Sequence, residues 1–314
     1  MKRLFLRGVC LCLCFALLVP AVLADTAPTS PIDLFSYGVC TAGEYPLDYA
    51  WYSPVVDDTD TEKYPLVIWL HGYSYGGSPG EEILSSTIAF WATPEMQEEF
   101  FDTGGAFVLV PRAPEDFGLY WSEELTDSLM TLILEFLFLN RDHIDMDRIY
   151  LGGHSLGGMM CWKLAIEAPE LFAALFLASP YYAPTDAELE ILADTPIWIV
   201  SSIYDQVTDY DTLIAPTWKR IKQLSNVPEQ CRLSVLGTLF DADGAFCANA
   251  HQSWRPVLHN LLTTRGESYF RMITVDGNGQ ELTLDRENDL IGWLCSQRGS
   301  GGHGGPHRHS SLRS

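Results

Sequence analysis

The sequence predicts an α/β fold in which one mostly parallel central sheet carries helices on both faces. Three observations predict it. Short continuous apolar runs, of which Leu66-Val67-Ile68-Trp69-Leu70 is the clearest, read as strands buried on both faces. Between these runs lie stretches whose apolar residues recur at three- and four-residue spacing, so strands alternate with helices and parallel pairing follows. With 47% hydrophobic and 19% charged residues over 314 positions, the chain can bury a sizeable core and is neither fibrous nor mostly disordered. No internal repeat or interdomain linker is visible, which points to one domain.

Taken in order, Lys2, Arg3 and Arg7 precede a nearly unbroken apolar run over 9–23, and Pro20-Ala21-Val22-Leu23-Ala24 offers the small residues a signal peptidase reads. Residues 1–24 are therefore expected to be a signal peptide, cleaved after Ala24 to give a secreted or extracytoplasmic protein. No other segment supplies roughly 18 consecutive apolar residues, so no stable membrane insertion is expected after cleavage. Residues 25–44 read as a mature N-terminal segment ahead of a domain over 45–298. Residues 47–52 alternate loosely enough for an outer strand, and 57–62 form an acidic turn, solvated or at most a weak calcium site. Buried strands follow at 66–70, 106–110, 149–151, 175–178 and 197–200, with 233–236 a weaker candidate. Helices are expected over 123–140, over 156 to about 168 before Pro169, and from about 211 to 224. Residues 269–284, centred on Val275-Asp276-Gly277-Asn278-Gly279, read as a hairpin inserted before a last helix over 286–296. The Gly/His-rich stretch 299–314 has almost nothing to bury and is expected to be a disordered tail.

The 41 acidic against 19 basic residues give a net charge of −22, and losing the three basic residues of the leader would take it to −25. A surface that negative repels phosphate backbones, which excludes nucleic acid as a partner. Cys10, Cys12 and Cys14 leave with the leader, so five cysteines remain in the mature chain. Export permits disulfides. Cys161, in a predicted apolar helix, reads as a buried free thiol, and the simplest pairing of the others joins Cys231 to Cys247 and Cys40 to Cys295.

The strongest chemical signal is Gly152-Gly153-His154-Ser155-Leu156-Gly157-Gly158, placed between a predicted strand and a predicted helix. This is the context of a nucleophile elbow: Ser155 sits on a turn so sharp that the positions two before and two after must be glycine. The following helix aims its N-terminus and the Leu156 N–H at any oxyanion formed there. Serine needs a base, and the base needs an orienting acid. His251, in Asn249-Ala250-His251-Gln252-Ser253-Trp254, is favoured as the base over His259, whose setting is apolar. Asp205, just past the 197–200 strand, is favoured as the acid. Asp209 and Asp211 are its rivals, while Asp241 and Asp243 read as turn acids. The second oxyanion donor is assigned to the Tyr73 N–H in Leu70-His71-Gly72-Tyr73. Trp121, His154 and Trp254 are the substrate-binding candidates, although Trp121, with Tyr120 and Phe117, reads equally as lid packing, and packing beneath the elbow is the favoured reading of His154.

At these residues the chain resembles the α/β-hydrolase superfamily, and within it the secreted esterases related to polyhydroxybutyrate depolymerases, feruloyl and acetylxylan esterases and prolyl-oligopeptidase-like hydrolases. Three separated motifs carry the resemblance over about 45–296: Leu70-His71-Gly72; Gly153-His154-Ser155-Leu156-Gly157-Gly158 with Pro169-Glu170-Leu171-Phe172; and Asp205-x-Val207 with His251-x-x-Trp254. The resemblance implies an α/β-hydrolase fold and a nucleophile, acid and base in that chain order, at Ser155, Asp205 and His251, with no cofactor and no metal. It implies a secreted serine hydrolase that cleaves a small-molecule or polymer-linked carboxylic ester through an acyl-enzyme. A serine peptidase, an acyltransferase or a non-catalytic binding protein are the alternatives. The chain departs from the pattern at Ser201-Ser202, where relatives carry His-Gly, and in the 260–285 insertion.

Overall fold

A computed structural model describes residues 30–55, 61–73, 88–118, 120–237, 239, 247–260 and 272–299. The expected leader, most of the acidic turn and all but the first residue of the tail lie outside the described residues. Nine strands form one sheet: β1 (Ser36–Cys40), β2 (Leu47–Tyr52), β3 (Tyr64–Leu70), β4 (Phe107–Pro111), β5 (Ile144–His154), β6 (Ala174–Ala178), β7 (Ile197–Ser202), β8 (Arg232–Leu236) and β9 (Met272–Asp276). Their order across the sheet is β1-β2-β4-β3-β5-β6-β7-β8-β9. Every pairing from β4 to β8 is parallel, and the antiparallel pairs are β1 with β2, β2 with β4 and β8 with β9. This is the α/β-hydrolase fold.

The sheet separates two hydrophobic layers because successive side chains point to opposite faces. Leu66, Ile68 and Leu70 of β3 join one layer with Leu175 and Leu177 of β6, while Val67 and Trp69 join the other with Phe176 and Ala178. The first layer is covered by α2 (Thr126–Leu139), α3 (Leu156–Glu167), α4 (Asp186–Ile191) and α5 (Ala215–Leu224). The second is covered by α6 (Trp254–Leu258) and α7 (Leu290–Ser296), with the short α1 (Pro94–Gln97) beside it. All seven residues of β3 are buried, as a strand covered on both faces requires.

Several expectations are corrected. The sheet begins inside the segment assigned to precede the domain, because β1 pairs with β2 from Ser36↔Trp51 to Cys40↔Leu47. Residues 272–276 are not a free-standing insertion: β9 pairs along the whole of β8, while the turn expected at 275–279 is present and closes with the bridge Val275↔Glu281. The last helix starts at Leu290, where Asp289 caps it by accepting the Gly292 N–H at 3.0 Å. The expected disulfides are absent from the structure, and Cys40, Cys161, Cys231 and Cys295 are buried thiols. Cys231 precedes β8 and Cys247 lies beyond its far end, a separation of about 16 Å for the five strand residues alone. A disulfide holds its Cα atoms roughly 4.4–6.8 Å apart. Cys40 and Cys295 belong to opposite layers, with the sheet between them. Cys161 is a buried free thiol on α3, and burial pushes it well above the ordinary thiol range.

Candidate active site

Because β3 to β8 run in parallel, the segments that follow them converge on one edge of the sheet, beside the point where the chain order reverses around β3. Ser155 is the one residue between β5 and α3, at φ 56°, ψ −117°, a backbone region that a side chain rarely adopts. Its N–H donates to the Ala178 carbonyl at 3.0 Å, and its carbonyl accepts from the Tyr181 N–H at 2.9 Å and the Met159 N–H at 3.0 Å. The flanking glycines are steric requirements. A Cβ on Gly157 would collide with the carbonyl oxygens of Leu70 and His71, and one on Gly153 would fall 2.7 Å from the Gly157 carbonyl carbon. The first turn of α3 thus lies directly on the end of β3.

The structure brings Ser155, His251 and Asp205 into one hydrogen-bonded line. The His251 Nδ1–H donates to Asp205 Oδ2 at 2.8 Å, which leaves Nε2 as acceptor for the Ser155 hydroxyl at 2.9 Å. Asp205 lies in the turn after β7 and is fully hydrogen-bonded. Its Oδ1 accepts the Val207 and Thr208 N–H groups at 2.9 and 3.0 Å, and its Oδ2 also accepts the Thr208 hydroxyl at 2.6 Å. Burial alone would raise this carboxyl, but the His251 bond, the Thr208 hydroxyl, the His251 charge and the Val207 amide outweigh it and hold the group well below the usual carboxylate range. Thr208 carries no spacing signal, and the sequence reading missed it. The rival Asp209 is spent locally, capping the turn at Tyr210–Ile214 by accepting the Thr212 N–H at 2.8 Å. The His259 ring lies tilted against Phe90 at 5.0 Å between centroids, and its backbone N–H belongs to the end of α6.

The two assigned oxyanion donors belong to the segments on either side of Ser155. Leu156 is the first residue of α3, where helix geometry leaves the N–H without an intrahelical acceptor. Tyr73 follows Gly72, whose α-carbon packs so close to Ser155 that a Cβ there would lie 3.2 Å from the serine Cβ. The loop is shaped by His71, buried, whose Nδ1–H donates to the Gly72 carbonyl at 2.6 Å while Nε2 accepts the Ala113 N–H at 3.1 Å. Two of the substrate-binding assignments are corrected. Trp121 is 1% exposed, and its indole N–H donates to the His71 carbonyl at 3.0 Å, so it supports the loop from within the core. His154 is buried with Nε2 on the His251 carbonyl at 2.8 Å, so it faces the base and not a ligand. Trp254 is half-buried, 6.2 Å from the His154 ring, with Arg255 4.9 Å from its centroid. Around the same edge the side chains of Tyr73, Tyr120, Tyr181 and Tyr204 are exposed. Among the described residues no cluster of side chains suited to a metal ion is found, and no helix is long and apolar enough to cross a membrane.

Comparison with known proteins bears on the fold. The family model described as alpha/beta hydrolase fold matches residues 116–232. Among solved structures, a thermostable esterase superposes with a TM-score of 0.58 at 25% identity, over 73% of this chain and 61% of that one. An acylaminoacyl peptidase bound to a Z-Gly-Gly-Phe chloromethyl ketone is similar at 17% identity and a TM-score of 0.43, over 60% of this chain and 35% of that one. Acylaminoacyl peptidase from Pyrococcus horikoshii is similar at 16% and 0.47, over 72% and 40%. The chain spans less than two thirds of the length of each of these structures. No curated protein matches it. The fold and the esterase neighbour together support a hydrolase.

Proposed function

On this α/β-hydrolase fold we propose an exported serine hydrolase that cleaves carboxylic esters through an acyl-enzyme. The observation that carries the reading is the continuous line Asp205–His251–Ser155, with its two short hydrogen bonds and a serine held at positive φ on the N-terminus of α3. Ser155 Oγ attacks the ester carbonyl carbon while its proton passes to His251 Nε2. The Nδ1–H bond to ionised Asp205 stabilises the imidazolium that results. The Leu156 and Tyr73 N–H groups receive the oxyanion, and the helix N-terminus adds its partial positive charge. His251 then gives the proton to the departing alkoxide, and a water molecule, deprotonated by the same nitrogen, releases the acid. Every step uses side chains and backbone amides of this chain together with water, and no cofactor enters. Export is the reading given by residues 1–24.

The test is hydrolysis of p-nitrophenyl esters from acetate to decanoate and of methyl ferulate, by the wild type and by Ser155→Ala, with fluorophosphonate labelling alongside. Turnover and labelling by the wild type, both lost in Ser155→Ala, are expected. The chain-length optimum then measures the acyl site. A wild type that neither hydrolyses nor labels would overturn the proposal in favour of a binding role.

A further inference from the structure

Two buried polar contacts fasten the loop that carries His251 to the segments that carry Ser155. His154 Nε2 lies 2.8 Å from the His251 carbonyl, and the hydroxyls of Ser179 and Ser253 share a hydrogen bond of 2.7 Å. All three anchoring side chains are buried. A carbonyl only accepts, so the His154 proton sits on Nε2 and Nδ1 is bare. That bare nitrogen faces the α-carbon of Gly72, where a Cβ would lie 2.6 Å away. The ring is therefore wedged between the loop after β3 and the His251 loop, 4.7 Å from the His251 ring itself. Burial first, and then the neighbouring His251, push His154 down to about 3, so at neutral pH it is an uncharged donor.

The second anchor is strained. Ser179 holds φ 43° with none of its surface exposed, and such a residue persists only where its surroundings over-determine it. Its N–H donates to the Val200 carbonyl at 2.8 Å, and Tyr181, two residues on, donates its N–H to the Ser155 carbonyl at 2.9 Å. Its hydroxyl meanwhile holds Ser253, two residues after the base. One bend at the end of β6 thus fixes the nucleophile on one side and the base on the other.

We propose that His154, seconded by the Ser179–Ser253 pair, is a positioning residue for His251. By holding the backbone of the base it keeps Nε2 on Ser155 and Nδ1–H on Asp205 at once. The inference rests on the reading of Ser155, His251 and Asp205 as nucleophile, base and acid. An imidazole that must meet partners at both ends, 2.8 and 2.9 Å away, has no slack, and a shift of about 1 Å costs roughly a hundredfold in rate. Neither His154 nor Ser179 touches the reacting atoms.

The experiment compares His154→Phe, which keeps a ring but removes the donor, with His154→Gln, whose amide N–H stands at a similar reach, and with Ser253→Ala. Four quantities are read on the full chain: kcat and KM for p-nitrophenyl acetate, the thermal midpoint, and the low-field proton resonance of the His251 Nδ1–H bonded to Asp205. His154→Phe is expected to lower kcat by roughly 10- to 100-fold with KM unchanged and to move or broaden the resonance. His154→Gln should restore most of both, and Ser253→Ala should shift both in the same direction by less. Wild-type kcat with an unmoved resonance in His154→Phe would overturn the proposal. So would a loss of kcat that leaves the resonance in place and that His154→Gln does not repair. Should His154→Phe fail to fold, His154→Asn, too short to reach the carbonyl, takes its place. The resonance is read without substrate, so an inactive wild type would sink the esterase reading while the positioning of His251 stays under test.

Discussion

At the scale of single residues, the candidate site depends on small hydroxyl groups as much as on its three charged or nucleophilic members. Thr208 donates its hydroxyl at 2.6 Å to the same Asp205 oxygen that accepts the imidazole proton, and it stands 3.4 Å from His251 Nδ1. Removing a hydrogen bond to a charged group costs about 1.5–3 kcal/mol. Thr208→Val is therefore expected to lower kcat for p-nitrophenyl acetate by roughly 10- to 100-fold, with Thr208→Ser close to wild type. Equal kcat in Thr208→Val and wild type would mean that the backbone amides alone hold Asp205. Ser155, Asp205 and His251 were legible in the sequence because a nucleophile elbow needs glycines at fixed offsets and an acid suits a strand end. Thr208, Ser179 and Ser253 were not legible. A single hydroxyl has no spacing rule, and its role exists only once β6, β7 and the His251 loop have converged. The partner of His154 was not legible for a related reason: adjacency to the nucleophile suggests packing beneath the elbow but says nothing about which way a ring turns, and here it turns onto the base.

Among the elements, the elbow shows how tightly local sequence and tertiary packing are joined. The strand β5, the turn and α3 were readable from an apolar run, glycines and helical periodicity, but the reason Gly157 is glycine lies in another element. The missing side chain is what lets α3 rest on the carbonyls of Leu70 and His71. Gly157→Ala puts a methyl group against backbone that has no rotamer to yield, so destabilisation of about 3 kcal/mol or more is expected, with loss of fluorophosphonate labelling. Urea unfolding would show it, and a midpoint within experimental error of wild type would refute the collision. The edge strands were harder to read, and the physics says why. A strand's period reveals which face is apolar but never which neighbour it finds, so β9 read as half of an isolated hairpin although all five of its residues pair with β8. Likewise β1, with Ser36, Tyr37 and Val39 exposed and Gly38 at its centre, lacks the apolar run that marks the interior strands. The helix expected from about 211 begins as a π-turn over Tyr210–Ile214, capped by Asp209 accepting the Thr212 N–H, and turns α-helical only from Ala215, where Pro216 sits in the first turn and its missing N–H costs nothing.

Over the whole molecule, the net charge and the buried histidine pull stability in opposite directions as the solution is acidified. The chain carries −22 at neutral pH, and protonating carboxylates toward the sequence pI of about 4.5 relieves that self-repulsion and favours the compact state. His154 opposes this. In the fold its ring stays neutral down to about 3, whereas in the unfolded chain it takes a proton near the ordinary value of about 6.5. Between those two values the unfolded state binds more protons, so stability must fall as pH falls, by at most about 1.4 kcal/mol per pH unit for this one group. Asp205, held below the usual carboxylate range, adds a loss of the same sign, but only below about 4, where its unfolded form begins to protonate. The histidine's contribution can be separated from the global one because His154→Gln removes the titration and leaves every carboxylate in place. Unfolding free energies of the two proteins at pH 7.5, 6 and 5 are expected to converge on acidification, the wild type losing ground from about pH 6.5 downward while the variant follows the charge relief alone. Two parallel curves would mean that His154 is not kept neutral by the fold. The donor that anchors His251 would then have to survive a charge at the centre of the site, against the cost of burying one beside a second imidazole.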